Sequence, residues 1–134
     1  VGHNLENASS LNHANDFIQQ LSTETSNSNI ALKPIDVSDF NSVRRFACDI
    51  EDCHILINNA GIMSSEQKKQ DGMEMTMCTN FLGPFLLTNL LMPVMMHSSE
   101  KDSVECRVVN LSSTSEAKAE AFPGRDPLGQ SAIR

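Results

Sequence analysis

The sequence predicts an α/β fold built on a parallel sheet, and two observations carry that prediction. Short apolar runs alternate with longer stretches whose apolar residues recur at helical spacing, in the order helix, strand, helix, strand, helix, strand. Each short run also ends in small or polar residues: Asp36-Val37, Asn59-Ala60-Gly61 and Ser112-Ser113. Parallel strands joined by right-handed crossovers bring their carboxyl ends to one edge, where this architecture binds its ligands.

The first helix is expected from about Asn4 to Ser22, where Leu11, Ala14, Phe17, Ile18 and Leu21 fall near helical spacing. A Ser/Thr/Asn-rich loop, Thr23 to Asn29, separates it from a strand over Ile30–Ile35, with Pro34 near the strand's end. Ser38 or Asp39 is the expected N-cap of a second helix, whose apolar stripe is Phe40, Val43, Phe46, Ala47 and Ile50. The second strand, 54–58, is a β-branched and leucine run that stops abruptly at Asn58-Asn59-Ala60-Gly61. Gly61 has no side chain to hold a ligand away, and the two amides need partners if buried.

A polar loop, Ser64 to Gly72, leads into a long helical region from about Met73 to His97. Pro84 inside it predicts a kink or a late start. Ser98 to Ser103 reads as a loop, and Val104 to Leu111 as the third strand. The tail from Thr114 to Arg134 has no clear period and reads as irregular. The long 73–97 helix is apolar over much of its girth. Burial against the sheet is the plainer account of that, and a contact through Met92, Met95 and Met96 the other.

The chain has 134 residues, the length of one small domain, and 40% are hydrophobic, which supports a core. Its net charge of −7 and 4% aromatic content provide neither a basic patch nor a stacking platform, so nucleic acid is not an expected partner. The most apolar stretch, Phe81 to Met96, is interrupted by Gly83, Pro84, Asn89 and Pro93, so no membrane segment is expected in this chain. No secretory leader pattern opens the sequence. Cys48, Cys53, Cys78 and Cys106 form no C-x-x-C pair and have no zinc-type spacing with histidine, so no metal is expected and reduced thiols are the default.

With these residues in view, the chain resembles the short-chain dehydrogenase/reductase family over nearly its whole length. The resemblance rests on Asp36-Val37, Asn58-Asn59-Ala60-Gly61, Thr79-Asn80 and Val108-Val109-Asn110-Leu111-Ser112-Ser113. Asp71-Gly72-Met73-Glu74, the run from Asn80 to Pro93, and Met63 are similar to the retinol-dehydrogenase-like branch. The resemblance implies a partial Rossmann-like doubly wound sheet over 1–134, with three strands and three helices of the family core. It also implies a nicotinamide cofactor and hydride transfer between a small-molecule carbonyl and its alcohol, the substrate being retinoid, steroid-like or otherwise lipophilic.

Position by position, the resemblance implies that Asp36 bonds the adenine, that Val37 covers it, and that Asn59, Ala60 and Gly61 line the adenosine ribose. It implies that Ser113 bonds the substrate oxygen, and that Asn80 holds the helix backbone and a relay water. Family members often pair through this helix, so the resemblance makes a homodimer through 73–97 one option; the location is left unknown, with a cytoplasmic or cytosol-facing endoplasmic-reticulum one the expectation.

Two family features are absent from these residues. The chain has no tyrosine, and so no Tyr-x-x-x-Lys acid/base pair; in the retinol-dehydrogenase-like branch that pair falls past Arg134. The glycine-rich turn that cradles the pyrophosphate is also missing. The chain is therefore expected to be a piece of a longer protein, without turnover by itself and with apolar surface uncovered. Val1-Gly2-His3 stands where cofactor choice is made and has no acid to repel a 2′-phosphate, which leans toward NADP over NAD. The rival readings are a non-catalytic binding or scaffold relative and a flavodoxin-like signalling domain; the latter leaves Asn-Asn-Ala-Gly and Ser-Ser unexplained.

Overall fold

A computed structural model of the chain describes residues 8–63, 69–70 and 72–113. The expectations placed on Val1-Gly2-His3 and on the 114–134 tail lie outside the described residues. The first helix, α1, spans Ala8–Thr25. It runs past the expected end at Ser22, and in its last turn Thr23 and Thr25 bond back to the carbonyls of Gln19 and Leu21, at 2.9 and 2.7 Å. Ser26 then turns into the left-handed region at φ 52° and stops it.

The strand expected over Ile30–Ile35 does not form. A strand needs a neighbour to pair with, and no described strand pairs with these residues. Pro34 also lacks a donor for a ladder. Ile35 still packs against the core.

Helix α2, Phe40–Cys48, starts at Asp39, whose carboxylate accepts the Asn41 N–H at 2.8 Å. Its apolar stripe buries Val43 and Ala47 and packs Phe46 beside them. Strand β1, Ile55–Asn58, pairs in parallel with the last described strand. Between them lies a short antiparallel hairpin, β2 Lys69–Gln70 and β3 Met73–Glu74, within a region expected to be loop; Gly72 provides its positive φ of 81°.

The long helical region has three parts: α3, Met75–Met77, a π turn, Cys78–Leu82, and α4, Gly83–Asp102. Glu74 caps α3, accepting the N–H groups of Thr76 and Met77 at 2.9 and 2.8 Å. Partial burial pushes the Glu74 pKa up, but those donors outweigh it and hold the carboxyl below the usual glutamate range. Pro84 directly follows the π turn inside a helix that is continuous from Met75, so its missing N–H falls where the bonding passes from the π to the α pattern and marks no helix start. Pro93 lies on the exposed outer face, where solvent can serve the carbonyl it leaves unpaired.

Residues Ser98–Asp102, expected as loop, are the last turn of α4. Tertiary bonds hold them in place. Buried Ser98 accepts the Cys53 N–H at 3.0 Å and donates to Asp52 at 3.2 Å, while Lys101 reaches both Asp52 oxygens at 2.9 and 3.1 Å. The last described strand, β4, is Arg107–Asn110, shorter than the expected 104–111; its register sets Ile55 opposite Arg107 and Asn58 opposite Asn110.

The Lys101 ammonium beside Asp52, more than any other neighbour, holds that carboxyl below the ordinary aspartate range; reciprocally, the Asp52 carboxylate raises Lys101. The sign follows by linkage. Asp52 contributes stability above its unfolded pKa and loses it as pH falls through its depressed folded pKa. Lys101 contributes below its unfolded pKa and loses it as pH rises through its raised one. Asp52→Asn is therefore expected to destabilise at neutral pH, with the difference from wild type vanishing in acid; denaturant titrations at pH 7 and pH 3 check this.

The core lies between the helices and one face of the sheet. Val43 and Ala47 of α2 meet Leu87, Leu91 and Met95 of α4, with Leu56 and Val108 packed beneath. The opposite face of the sheet shows Ile55, Ile57 and Val109, 60%, 58% and 43% exposed. On α4, Met95 is buried while Met92 and Met96 face outward, so the helix has both a core face and an apolar outer face. The stretch Met75–Asp102 is long and apolar enough, by length and composition, to cross a membrane. In this fold Leu87, Leu91 and Met95 of that stretch pack against α2.

Candidate functional site

Parallel pairing of β1 and β4 carries Asn59-Ala60-Gly61 and Ser112-Ser113 off the same edge of the sheet, one residue and two residues past the Asn58–Asn110 rung. Asn59, Gly61 and Ser113 are exposed, and Ala60 is half-buried. The third segment, Asp36-Val37, reaches this end of the molecule without a strand of its own. Asp36 Oδ1 accepts the Ser38 N–H at 2.9 Å and the Ser38 hydroxyl at 2.7 Å, and the Asp36 N–H donates to Ser42 Oγ at 3.0 Å. These bonds fix an exposed carboxylate on a tight turn leading into α2. Val37 is buried, 6% exposed.

The start of α4 indexes these segments against one another. A Cβ placed on Gly83 would sit 1.8 Å from the Val37 carbonyl oxygen and 2.8 Å from its carbon, so the Val37 backbone lies directly on Gly83. Three residues earlier, Asn80 Oδ1 accepts the Ile62 N–H and its Nδ2 donates to the Ile62 carbonyl, both at 2.8 Å. That pair of bonds ties the loop after β1 to the π turn. Four residues after Pro84, Thr88 accepts a bond from Asn58 at 3.1 Å, and Asn58 also donates to Asn110 at 2.8 Å. One helix start thus touches the Val37 turn, the β1 exit and, through Asn58, the β4 exit.

The Asn80 side chain is committed to Ile62, a loop residue, where the resemblance implied the helix backbone. Gly61 lies close by: a Cβ there would meet Asn80 Oδ1 at 3.6 Å, an ordinary contact, with Asn80 Cγ next at 3.9 Å. Gly61 also takes no positive φ. Among the described residues, neither packing nor backbone angle demands a glycine at this position. Among the described residues, no group of His, Cys, Asp and Glu is placed to hold a metal.

Sequence reasoning missed Gly83, Thr88 and Asn110. Gly83-Pro84 within an apolar helix was the available signal for the first, since a glycine there weakens a helix unless something must come close. Thr88 and Asn110 had no such signal, because their role depends on register.

Comparison with known proteins gives a consistent set of similarities. The family described as short chain dehydrogenase matches residues 4–123. Retinol dehydrogenase 12 of Bos taurus is 41% identical over 99 residues, covering 70% of this chain and 30% of its own length. Retinol dehydrogenase 11 of Homo sapiens is 39% identical over 100 residues, 71% of this chain and 30% of its own. Polyprenol dehydrogenase of Homo sapiens is 35% identical over 112 residues, 80% of this chain and 34% of its own. The chain thus spans about a third of the length of these curated relatives. Among solved structures, an uncharacterized protein from Mycobacterium Paratuberculosis superposes with a TM-score of 0.66 at 32% identity, over 84% of this chain and 39% of that one. An NADPH-bound carbonyl reductase from chicken fatty liver superposes with a TM-score of 0.59 at 22% identity, over 84% of this chain and 46% of that one, a likeness of fold.

Proposed function

The chain belongs to the short-chain dehydrogenase family, in its retinol-dehydrogenase-like part, and on that premise we propose that the full-length protein is an NAD(P)-dependent oxidoreductase interconverting a lipophilic carbonyl and its alcohol. The observation that carries the reading is the convergence of the Val37 turn, the Gly61 loop and the Ser113 strand end on the start of α4. A lipophilic substrate is supported by the relatives named as retinol and polyprenol dehydrogenases.

The bare Gly61 backbone fits a nicotinamide dinucleotide, since a side chain there would be tolerated by the fold yet stand in a ligand's path. When bound, that cofactor supplies the hydride acceptor or donor. Asp36, held by Ser38, would accept from the adenine amino group, with Val37 under the ring. Asn59, Ala60 and Gly61 would line the adenosine ribose. Ser113 would donate a hydrogen bond to the substrate oxygen as charge develops there. Asn80 would hold a relay water, its amide keeping one N–H and one oxygen lone pair beyond the two bonds to Ile62. The acid/base Tyr and its Lys would come from residues beyond this chain, so these residues alone are expected to show no turnover. A second copy of the chain would suit the outward-facing Phe81, Phe85, Met92 and Met96 of the long helical region.

The test is the full-length protein with retinal and either NADPH or NADH, following loss of reduced cofactor. Reduction with both, faster with NADPH, is the expected result. Cofactor binding without turnover would replace the reading with a non-catalytic binding module, and absence of both would overturn it.

A further inference from the structure

We propose that Cys53 and Cys106 form a redox staple: a dithiol at the base of the β1–β4 ladder that closes to a disulfide under sustained oxidation and locks the two strands together. The staple has no part in the proposed hydride chemistry and does not depend on the oxidoreductase reading. Both residues are free thiols and half-buried, and both pack against the core cluster that α2 and α4 build over the sheet. The register of the ladder, carried one rung below the Ile55–Arg107 pair, sets Cys106 beside His54, whose carbonyl accepts the Arg107 N–H at 2.8 Å. Cys53 is the residue before His54, where the chain bends. Parallel strands about 4.8 Å apart, rising about 3.3 Å per residue, separate such diagonal neighbours by roughly 6 Å, inside the disulfide range of about 4.4 to 6.8 Å between Cα atoms. The Cys106 sulfur reaches across this gap, donating to the Met95 carbonyl at 2.9 Å and to the Cys53 carbonyl at 3.5 Å.

The oxidant is a low-molecular-weight disulfide such as glutathione disulfide. One protein thiolate attacks it, forms a mixed disulfide and releases one reduced thiol. The other then attacks the protein-side sulfur of the mixed disulfide and releases the second. Two protein S–H bonds are lost and one S–S bond is exchanged for another, the two electrons and two protons leaving on the two molecules of reduced thiol. Burial, and after it the neighbouring Cys106 thiol, pushes the Cys53 thiol up, so it stays protonated at neutral pH and the staple closes slowly. The cross-link joins residues 53 positions apart, a long loop whose closure constrains the unfolded chain. It lies where β1 and β4 begin, at the end of the ladder away from Asn59 and Ser113, so it stiffens the sheet without reaching the site.

The test incubates the full-length protein overnight with excess glutathione disulfide, alkylates the remaining thiols and maps the linked peptides. A Cys53–Cys106 link is expected, with the urea midpoint raised by about 1 M or more and returned to its starting value by dithiothreitol. Cys53→Ser and Cys106→Ser should each abolish the oxidant-dependent rise. The mapping is made on the wild-type protein, so it decides the proposal even where a serine variant folds poorly. Both thiols still open to alkylation, a stable glutathione adduct, or a link confined to other pairs, such as one between molecules through exposed Cys48, would overturn the staple. So would a Cys53–Cys106 link that leaves the midpoint unchanged or lowers it, or a rise that persists in either serine variant.

Discussion

Replacing Ser113 with alanine in the full-length protein is expected to lower kcat by about two to three orders of magnitude, the cost of removing one donor aimed at a developing oxyanion. Ser113 is exposed and lies three residues beyond the Asn58–Asn110 rung, outside the packed core. A denaturant midpoint reads any structural share of its hydroxyl separately from its share in the chemistry. The cofactor KM should hold, because the proposed cofactor contacts come from Asp36 through Gly61 on other segments. Steady-state kinetics alongside a denaturant midpoint separate these effects. A variant that keeps wild-type kcat would remove Ser113 from the chemistry, and one that unfolds would place it in the structure.

The second large effect is expected at Gly83, and it concerns the fold. Gly83→Ala would put a methyl group 1.8 Å from the Val37 oxygen, 2.8 Å from the Val37 carbon and 3.0 Å from the Cys78 oxygen. All three are backbone atoms, and none can move aside by changing rotamer. The Cys78 carbonyl also accepts the Gly83 N–H that closes the π turn, so moving it breaks that bond. Overpacking usually costs about 1–3 kcal/mol, and a backbone clash without a flexible neighbour belongs at or above the upper end. A loss of about 3 kcal/mol or more is expected in urea unfolding. Gly61→Ala is the contrast: its methyl would make an ordinary 3.6 Å contact, so stability should hold while cofactor affinity falls. If both variants were equally stable, the close approach of the Val37 turn to α4 would be wrong.

Periodicity made the helices and the strands β1 and β4 legible, because burying one face of a helix or strand leaves a regular mark in the sequence. The N-cap at Asp39 and the polar strand endings were legible for local reasons: each acts on its own or adjacent backbone groups. The strand over Ile30–Ile35 was misread because a β-strand is a relation between two segments, and its own residues say nothing about whether a partner lies alongside. The last turn of α4 was misread as loop because Ser98 and Lys101 are polar. Their helical state depends on Asp52 and Cys53, distant in sequence.

By itself, the sequence determined the α/β class, the family motifs and the chemistry-bearing residue types at the ends of the runs. Each of these is encoded by neighbours within a turn or a strand of one another. Only the tertiary structure decided that Gly83 must lack a side chain, that the Asn80 amide grips Ile62, and that Asn58 bridges Thr88 and Asn110. Those contacts join residues 18 to 52 positions apart. Their geometry comes from how the helix start settles against the sheet edge, and no local pattern records that.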